Sequence, residues 1–390
     1  MKPLANLSRR ALRGLRLLGA FCAVAGSASA QVGQLAAPVL NNPVFKAAKP
    51  GPGGTLVLPS GASVQLNQRG GYLLSAVVML VNAQNVKLTV VSNSPTATVT
   101  PATGALQVLD TRAVATATQL LGVISGFGDG LAQPLTQFLS RPDVVQRLPG
   151  GVKVVADPFV IGAQTQGKLL RLTIAPQQVP AGQFRPAAHV QPARQPGAVP
   201  VALRVYSDFQ CPYCEQFETQ GYPGVLKQLP ADVSVEFHQF PLESIHPLAR
   251  PAAEASECAA QQGKFWPFKE LLFADRSWLS GNPNQVFISF ADRLGLRPEA
   301  FKTCLAERGG KAAVDAGVQE ALQVGVNATP TVFVNGLHVA NPYDVASLLK
   351  LIQFARVAAS APAAQLNPPL LPAPKTPGPA GTGAPAPKKP

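Results

Sequence analysis

The sequence predicts two folded units of different class. An α+β domain spans residues 31–175, and an α/β domain spans 201–357 with a helical insertion at about 244–310. Three observations lead there. The apolar, β-branched run Val201–Tyr206 reads as a buried strand; after a turn comes Cys211-Pro212-Tyr213-Cys214, which opens a helical pattern. A strand at Val233–Phe240 follows, helical patterns run from about Ser244 to Gly310 and over Lys311–Gln323, and strand returns at Thr331–Val334. Ahead of this domain, Pro176, Pro180, Pro186, Pro192, Pro196 and Pro200 mark residues 176–200 as an extended, semi-rigid linker.

Taken in order, residues 1–30 read as a signal peptide. Lys2, Arg9, Arg10, Arg13 and Arg16 form a basic start, Leu17–Ala25 a short apolar core, and Ala28-Ser29-Ala30 a small-residue cleavage site. Export to the periplasm or cell envelope is therefore expected, with Gln31 as the first mature residue. The formal charge of +13 is unevenly spread: residues 31–175 hold ten basic and four acidic side chains, 201–357 hold 13 basic and 16 acidic. No long basic run interleaves with aromatics, so no nucleic-acid partner is expected. The longest mature apolar run, Tyr72–Val81, is too short to span a bilayer and reads as a strand.

The first domain alternates strand-like runs (SVQL, YLLSAVVMLV, VKLTVVS, TATVT) with polar breaks. Asp110 can cap a helix to about Ile124 and Asp129 another, with strand again at Val152–Val160 and Lys168–Ile174. It has no Cys and no His, and its four acids are scattered, so nothing in it points to chemistry. Residues 358–390, rich in Ala and Pro, are expected to be disordered.

The chemistry concentrates at Cys211 and Cys214. Pro212 fits the first helical turn, where a missing N–H costs little. The unpaired N–H groups and positive dipole of that turn favour a Cys211 thiolate, a nucleophile at neutral pH. Cys214 shares the helical face and can close a disulfide with it. The competing reading of a lone CxxC is half a zinc site. Zinc usually needs a second Cys or His pair, whereas His238 and His246 stand singly, so no metal and no cofactor are expected.

A second stretch, GVNATPTVFVNG, places Thr329-Pro330 at the start of a strand and a turn at Asn335-Gly336. With SDFQCPYC, FPLESIHPLARPAAEASECA, GKFWPFKELLF and FKTCL in the same order, Val201 to about Ala355 resembles the DsbA-like thiol:disulfide oxidoreductases of the thioredoxin superfamily. The resemblance implies a thioredoxin-like fold with inserted helices and a cis Thr329-Pro330 peptide facing the Cys211–Cys214 pair. Catalysis would fall to Cys211 and Cys214, with substrate contacts from Thr329, Pro330, Pro212 and Tyr213. It implies as partners exported proteins with free thiols and a membrane quinone-linked oxidase. One departure is plain: a buried acid usual six residues before the first Cys is replaced by Val205.

The mature chain keeps four cysteines, and pairing Cys211 with Cys214 leaves Cys258 and Cys304. In an oxidising compartment these favour a structural disulfide over two buried thiols, and some proteins of the resembled type have such a second bond. His246 is expected to make a structural hydrogen bond, His189 to be solvated in the linker, and His238 and His338 to lie at the surface. Phe265, Trp266, Phe268 and Phe273 are expected to form the core of the insertion. The function expected is introduction of disulfides into exported proteins. A disulfide isomerase or reductase that dimerises through the first domain is the alternative, and a non-enzymatic holdase or envelope-binding protein the second.

Overall fold

The computed structural model describes residues 37–80, 110–156, 158–195, 197–366 and 368–370. The chain divides into two compact units, Pro176–Ala361 and a second built from the chain's two ends, up to Ala175 and from Pro362. The signal-peptide reading of residues 1–30 and the strands expected at VKLTVVS and TATVT lie outside the described residues.

The first unit is α+β. Its seven-stranded sheet has the order β1-β2-β3-β4-β7-β6-β5. The strands are β1 (Lys49–Pro50), β2 (Leu56–Val57), β3 (Ala62–Arg69), β4 (Tyr72–Leu80), β5 (Val152–Ala156), β6 (Phe159–Gln166) and β7 (Leu169–Pro176). The expected run Val152–Val160 is split by a turn between β5 and β6. One sheet face, including Val64, Ala76, Val78, Ile161 and Leu172, packs on the helices Thr111–Ser125 and Asp129–Leu139 through Leu120, Leu121, Leu135 and Phe138. Asp110 caps the first helix, its carboxylate accepting the Arg112 N–H at 2.9 Å. The second begins at Asp129 itself, after Gly128.

The expected disorder of 358–390 does not hold at its start. The last helix of the second unit, Val345–Ala359, extends past 357. A short turn of helix, Ala363–Leu366, then carries the chain back to the first unit's sheet. There the Ser75 hydroxyl donates to the Gln365 carbonyl, and Arg171 donates to the Pro369 carbonyl at 3.2 Å. Leu370 lies over Gly151 and Gly162, where an added Cβ would come within 2.6 and 3.1 Å of it. The tail is thus a strap on the sheet face opposite the helices, held by its main chain and one leucine. Composition indicates that such a segment forms no core of its own; it does not show that another unit's sheet can receive it.

The second unit has a five-stranded sheet, β12-β11-β9-β10-β8, from β8 (His189–Gln191), β9 (Val201–Ser207), β10 (Val233–Gln239), β11 (Thr331–Val334) and β12 (Leu337–His338). Only β9 and β10 are parallel. The expected linker is part of this sheet. Val179 donates its N–H to the Gly336 carbonyl at 2.8 Å beside β12, and His189–Gln191 pairs with β10 at the other end. Pro180 and Pro186 lie between these two contacts, and neither contact places a proline in the ladder. Gly336 has φ +83°, and an added Cβ there would meet the Val179 carbonyl at 2.1 Å. Asn335 at φ 46° completes the hairpin turn.

The insertion comprises the helices Ala249–Ala260, Phe265–Ala274, Pro283–Arg293 and Pro298–Ala306. Its core holds Phe265, Phe268, Phe273, Trp278, Phe287, Phe290 and Phe301, and the same cluster includes Cys211 and Cys214. Trp266 is only half-buried and packs at its edge. Cys258 and Cys304 form a disulfide joining the first and last of these helices across 46 positions. Asp344 caps the helix Val345–Ala359 by accepting the Ser347 N–H, and Asn341 accepts the Tyr343 N–H in the preceding turn.

Two predictions follow from these ties. Replacing Cys258 and Cys304 together by Ala removes a loop constraint of about 3–4 kcal/mol, so the variant's unfolding midpoint in denaturant should fall while the Cys211–Cys214 chemistry persists; an unchanged midpoint would contradict this. Ending the chain at Ala361 strips the strap, and losing the Leu370 contact alone costs on the order of 2 kcal/mol. Hydrogen exchange should then rise in β4, β6 and β7 and leave β9 and β10 protected.

Candidate active site

The site is built where β9 ends. Asp208, Phe209 and Gln210 turn the chain, and Cys211 is the N-terminal cap of the short helix Pro212–Gln216, in extended conformation at φ −65° and ψ 125°. Pro212 takes the first helical position. The helix continues through a wide π turn, Phe217–Gly221, into Tyr222–Gln228.

The Cys211 thiol is pushed down to about 5. The first cause is a hydrogen bond from the Cys214 side chain; burial opposes the shift, and backbone N–H groups of Tyr213 and Cys214 add to it. In its neutral form Cys211 donates to the Thr329 carbonyl at 3.5 Å. That contact favours the thiol and is lost on ionisation. The Thr329 hydroxyl is buried with no hydrogen-bond partner, and it is the group that can turn to the thiolate. Cys214 is displaced the other way, well above the ordinary thiol value, first by burial and then by the Cys211 sulfur. The Asp208 N–H points at its sulfur from 3.4 Å.

The Thr329-Pro330 peptide is cis. β11 follows at once and pairs antiparallel with β9, Thr331 opposite Tyr206, which sets Thr329 beside the cysteines. Cys211, Cys214, Thr329 and Pro330 thus gather in one place, with Pro212 and Tyr213 at its exposed edge; Tyr213 is 65 % exposed. Its carbonyl accepts from the Tyr343 hydroxyl at 2.8 Å. Among the described residues no group of three His, Cys, Asp or Glu side chains is arranged to hold a metal.

Three groups at the site carried no assignment in the sequence reading. Asp208 is fully buried, and its carboxylate accepts from the Gln210 N–H (2.7 Å), the Cys211 N–H (3.1 Å), the Leu242 N–H (2.8 Å) and His246 Nδ1 (2.8 Å). His246 therefore makes the structural bond expected of it. Glu218, one turn after Cys214, forms a buried ion pair with Lys269 of the insertion. Arg276 donates to the carbonyls of Phe209 and Gln210. The one local signal was Asp208 in a turn, where Asp bonds backbone two residues on. The partners of Glu218 and Arg276 lie more than fifty residues away in sequence, and no local pattern marks them.

The other histidines correct the sequence reading. His189 is buried, stacked on Phe265 at 3.4 Å and bonded to Glu257 at 2.9 Å. His238 is buried between Glu236 and Glu320, and these carboxylates raise its pKa against the cost of burial. Only His338 keeps partial exposure. Alternation along a strand fails here because helices cover both faces of the sheet.

Comparison with known proteins finds likenesses to this part of the chain. Residues 197–353 match the Thioredoxin family model. A 157-residue stretch is 39 % identical to a protein of Salinispora tropica named Na(+)/H(+) antiporter NhaA 3, covering 40 % of this chain and 23 % of that protein. A protein of Herminiimonas arsenicoxydans named Na(+)/H(+) antiporter NhaA is 30 % identical over 163 residues, 42 % of this chain and 25 % of its own. The chain thus spans about a quarter of the length of these curated relatives, within its second unit. Among solved structures, BdbD from Bacillus subtilis covers 43 % of this chain and 91 % of its own at 23 % identity and TM-score 0.37. MdbA from Corynebacterium diphtheriae, titled a thiol-disulfide oxidoreductase, covers 41 % and 88 % at 20 % identity and TM-score 0.36.

The Cys211 pKa has a consequence for stability. A folded value near 5, below the ordinary thiol value of about 8.5, stabilises reduced protein above the unfolded pKa and loses that gain as pH falls through 5. The stability of reduced over oxidised protein should therefore grow between about pH 5 and pH 8.5. Above that it should turn over, because folded Cys214 resists ionising while the unfolded thiol does not. Denaturant midpoints of both forms across this range test it, and a flat difference contradicts it. The second unit thus carries a domain that matches the Thioredoxin family model, with Cys211 and Cys214 set beside a cis Thr329-Pro330 peptide.

Proposed function

We propose that the protein is exported and introduces disulfides into envelope or secreted proteins. The observation that carries this is the opposed tuning of the pair: Cys211 held acidic, Cys214 held neutral in the interior. Stabilising the thiolate stabilises the reduced form, and a pair whose reduced form is favoured is a strong oxidant. The export half rests on the charged start, apolar core and small-residue cleavage site of residues 1–30.

In this reading the resting protein carries a Cys211–Cys214 disulfide. A client thiolate attacks Cys211 Sγ, the more exposed of the two sulfurs. The Cys211–Cys214 bond breaks, and Cys214 leaves with the electron pair and takes a proton. A second client thiolate attacks its own sulfur in the mixed disulfide, forming the client disulfide, and Cys211 leaves as a thiolate. Two electrons have moved to the pair, and a membrane quinone-linked oxidase is the acceptor that returns them. The extended client lies beside the cis Thr329-Pro330 step, pairing with the Thr329 backbone, with Pro212 and Tyr213 at its flank.

The test uses full-length mature protein in its oxidised form and a reduced peptide with two thiols. One disulfide should pass per protein, and Cys214→Ser, given the same peptide in its disulfide form, should be trapped as a mixed disulfide when the Cys211 thiolate attacks that bond and one peptide sulfur leaves as a thiolate. A dimer that leaves the reduced peptide untouched but reshuffles scrambled disulfides would establish the isomerase instead, since a separate folded first unit could dimerise. Failure to trap any mixed disulfide would leave a binding protein.

A further inference from the structure

Arg276 stands in the insertion, where the Phe265–Ala274 helix gives way to the turn Arg276–Leu279. Its guanidinium nevertheless reaches the loop ahead of the nucleophile. Nη1 donates to the Phe209 carbonyl and Nη2 to the Gln210 carbonyl, the latter at 3.1 Å. Nε lies 3.4 Å from Glu215 of the active-site helix, and the guanidinium carbon sits 5.1 Å over the Trp278 ring. The side chain is 19 % exposed, so these bonds act with little solvent screening.

The loop is gripped from two sides. Asp208 collects its N–H groups, from Gln210 and Cys211, and Arg276 collects its carbonyls, from Phe209 and Gln210. The grip raises a charge problem. Asp208 is a buried carboxylate three residues from Cys211, and Glu215 stands four residues beyond it. Both disfavour a second negative charge on the Cys211 sulfur. Cys214 and His246 also touch the turn, and Tyr343 faces both sulfurs from the other side of the helix start, bonded to the Tyr213 carbonyl. His246 can offset Asp208 only when protonated, whereas the guanidinium is permanently charged. It also faces Glu215, Asp208 and both sulfurs electrostatically.

We propose that Arg276 is a positioning and charge-compensating residue for disulfide exchange, orienting the Phe209–Gln210 carbonyls and offsetting Asp208 and Glu215 so that Cys211 ionises. The insertion thereby contributes to setting the redox poise of the pair. This rests on the disulfide-exchange reading, but its test needs no client, so the two can fail separately.

The experiment compares Arg276→Gln, Arg276→Lys and Glu215→Gln in the full mature chain. Thiolate absorbance against pH reads Cys211 directly. Arg276→Gln should raise its pKa by about one unit. Arg276→Lys, which keeps charge but loses the two-pronged bond, should fall between, and Glu215→Gln should shift the other way. A purely structural Arg276 would lower the stability of oxidised and reduced protein equally; the proposed role lowers the reduced form more, because only it carries the thiolate. Unchanged titrations, or equal losses in both redox forms, would overturn the proposal. Should Arg276→Gln not fold, Arg276→Lys and Glu215→Gln decide by the sign of their shifts.

Discussion

The Asp208 carboxylate is the contact on which the rest of the active site depends. A charge removed from water is expensive unless hydrogen bonds replace its solvation. Here four donors do so, from Gln210, Cys211, Leu242 and His246. Two belong to the turn that carries the nucleophile, and two to the segment following β10. The bonds fix where β9 stops and where the helix of Cys211 starts. Turning the Cys211 N–H inward toward Asp208 leaves the N–H groups of the next turn to face the sulfur. A thiol at a helix cap in this orientation occupies the place an Asp or Ser side chain would take, and ionises for the same reason that those residues cap well.

The insertion is a second support rather than an appendage. Lys269 reaches Glu218 inside a shell of rings from Tyr222, Phe237, Trp266 and Phe273. A buried pair of this kind adds little net stability compared with apolar packing, but losing either partner strands the other. It therefore specifies one seating of the insertion on the active-site helix. Arg276 adds a connection to the loop before the nucleophile, and the Cys258–Cys304 bond holds the first and last insertion helices together. Packing Cys211 and Cys214 into the same aromatic cluster as Phe209, Phe268 and Phe273 places the pair at a boundary: one sulfur at a helix cap, the other enclosed. That boundary separates their acidities.

The first unit is built from chain on both sides of the second, up to Ala175 and from Pro362. The second unit is contained between β7 and the strap, so its covalent connections to the first unit lead out at both ends. The Pro-rich stretch after β7 is not a free spacer. It pairs with the second sheet at two places, at Val179 beside β12 and as β8 at His189–Gln191, and between them Phe184 packs against Phe333 and Arg204.

By itself the sequence determined what is local or compositional. Alternation and helical period placed most strands and helices, Asp110 marked a helix start, and Asn335-Gly336 marked a hairpin. Cys211-Pro212-Tyr213-Cys214 with Thr329-Pro330 located the reactive pair. These features were legible because each is set by neighbours within a turn or two. Only the tertiary structure decided which charges are buried and with whom. Asp208 with His246, Glu218 with Lys269, Arg276 with two carbonyls, and His189 with Glu257 are partners distant in sequence. Whether a polar side chain is solvated or satisfied inside depends on what packs over it, not on its neighbours along the chain. The stretch 176–200 and the start of the tail up to Leu370 depart from what composition predicts for the same reason. Proline content forbids a core of their own, but a sheet edge or face built elsewhere can bind an extended segment through its main chain, whatever its composition.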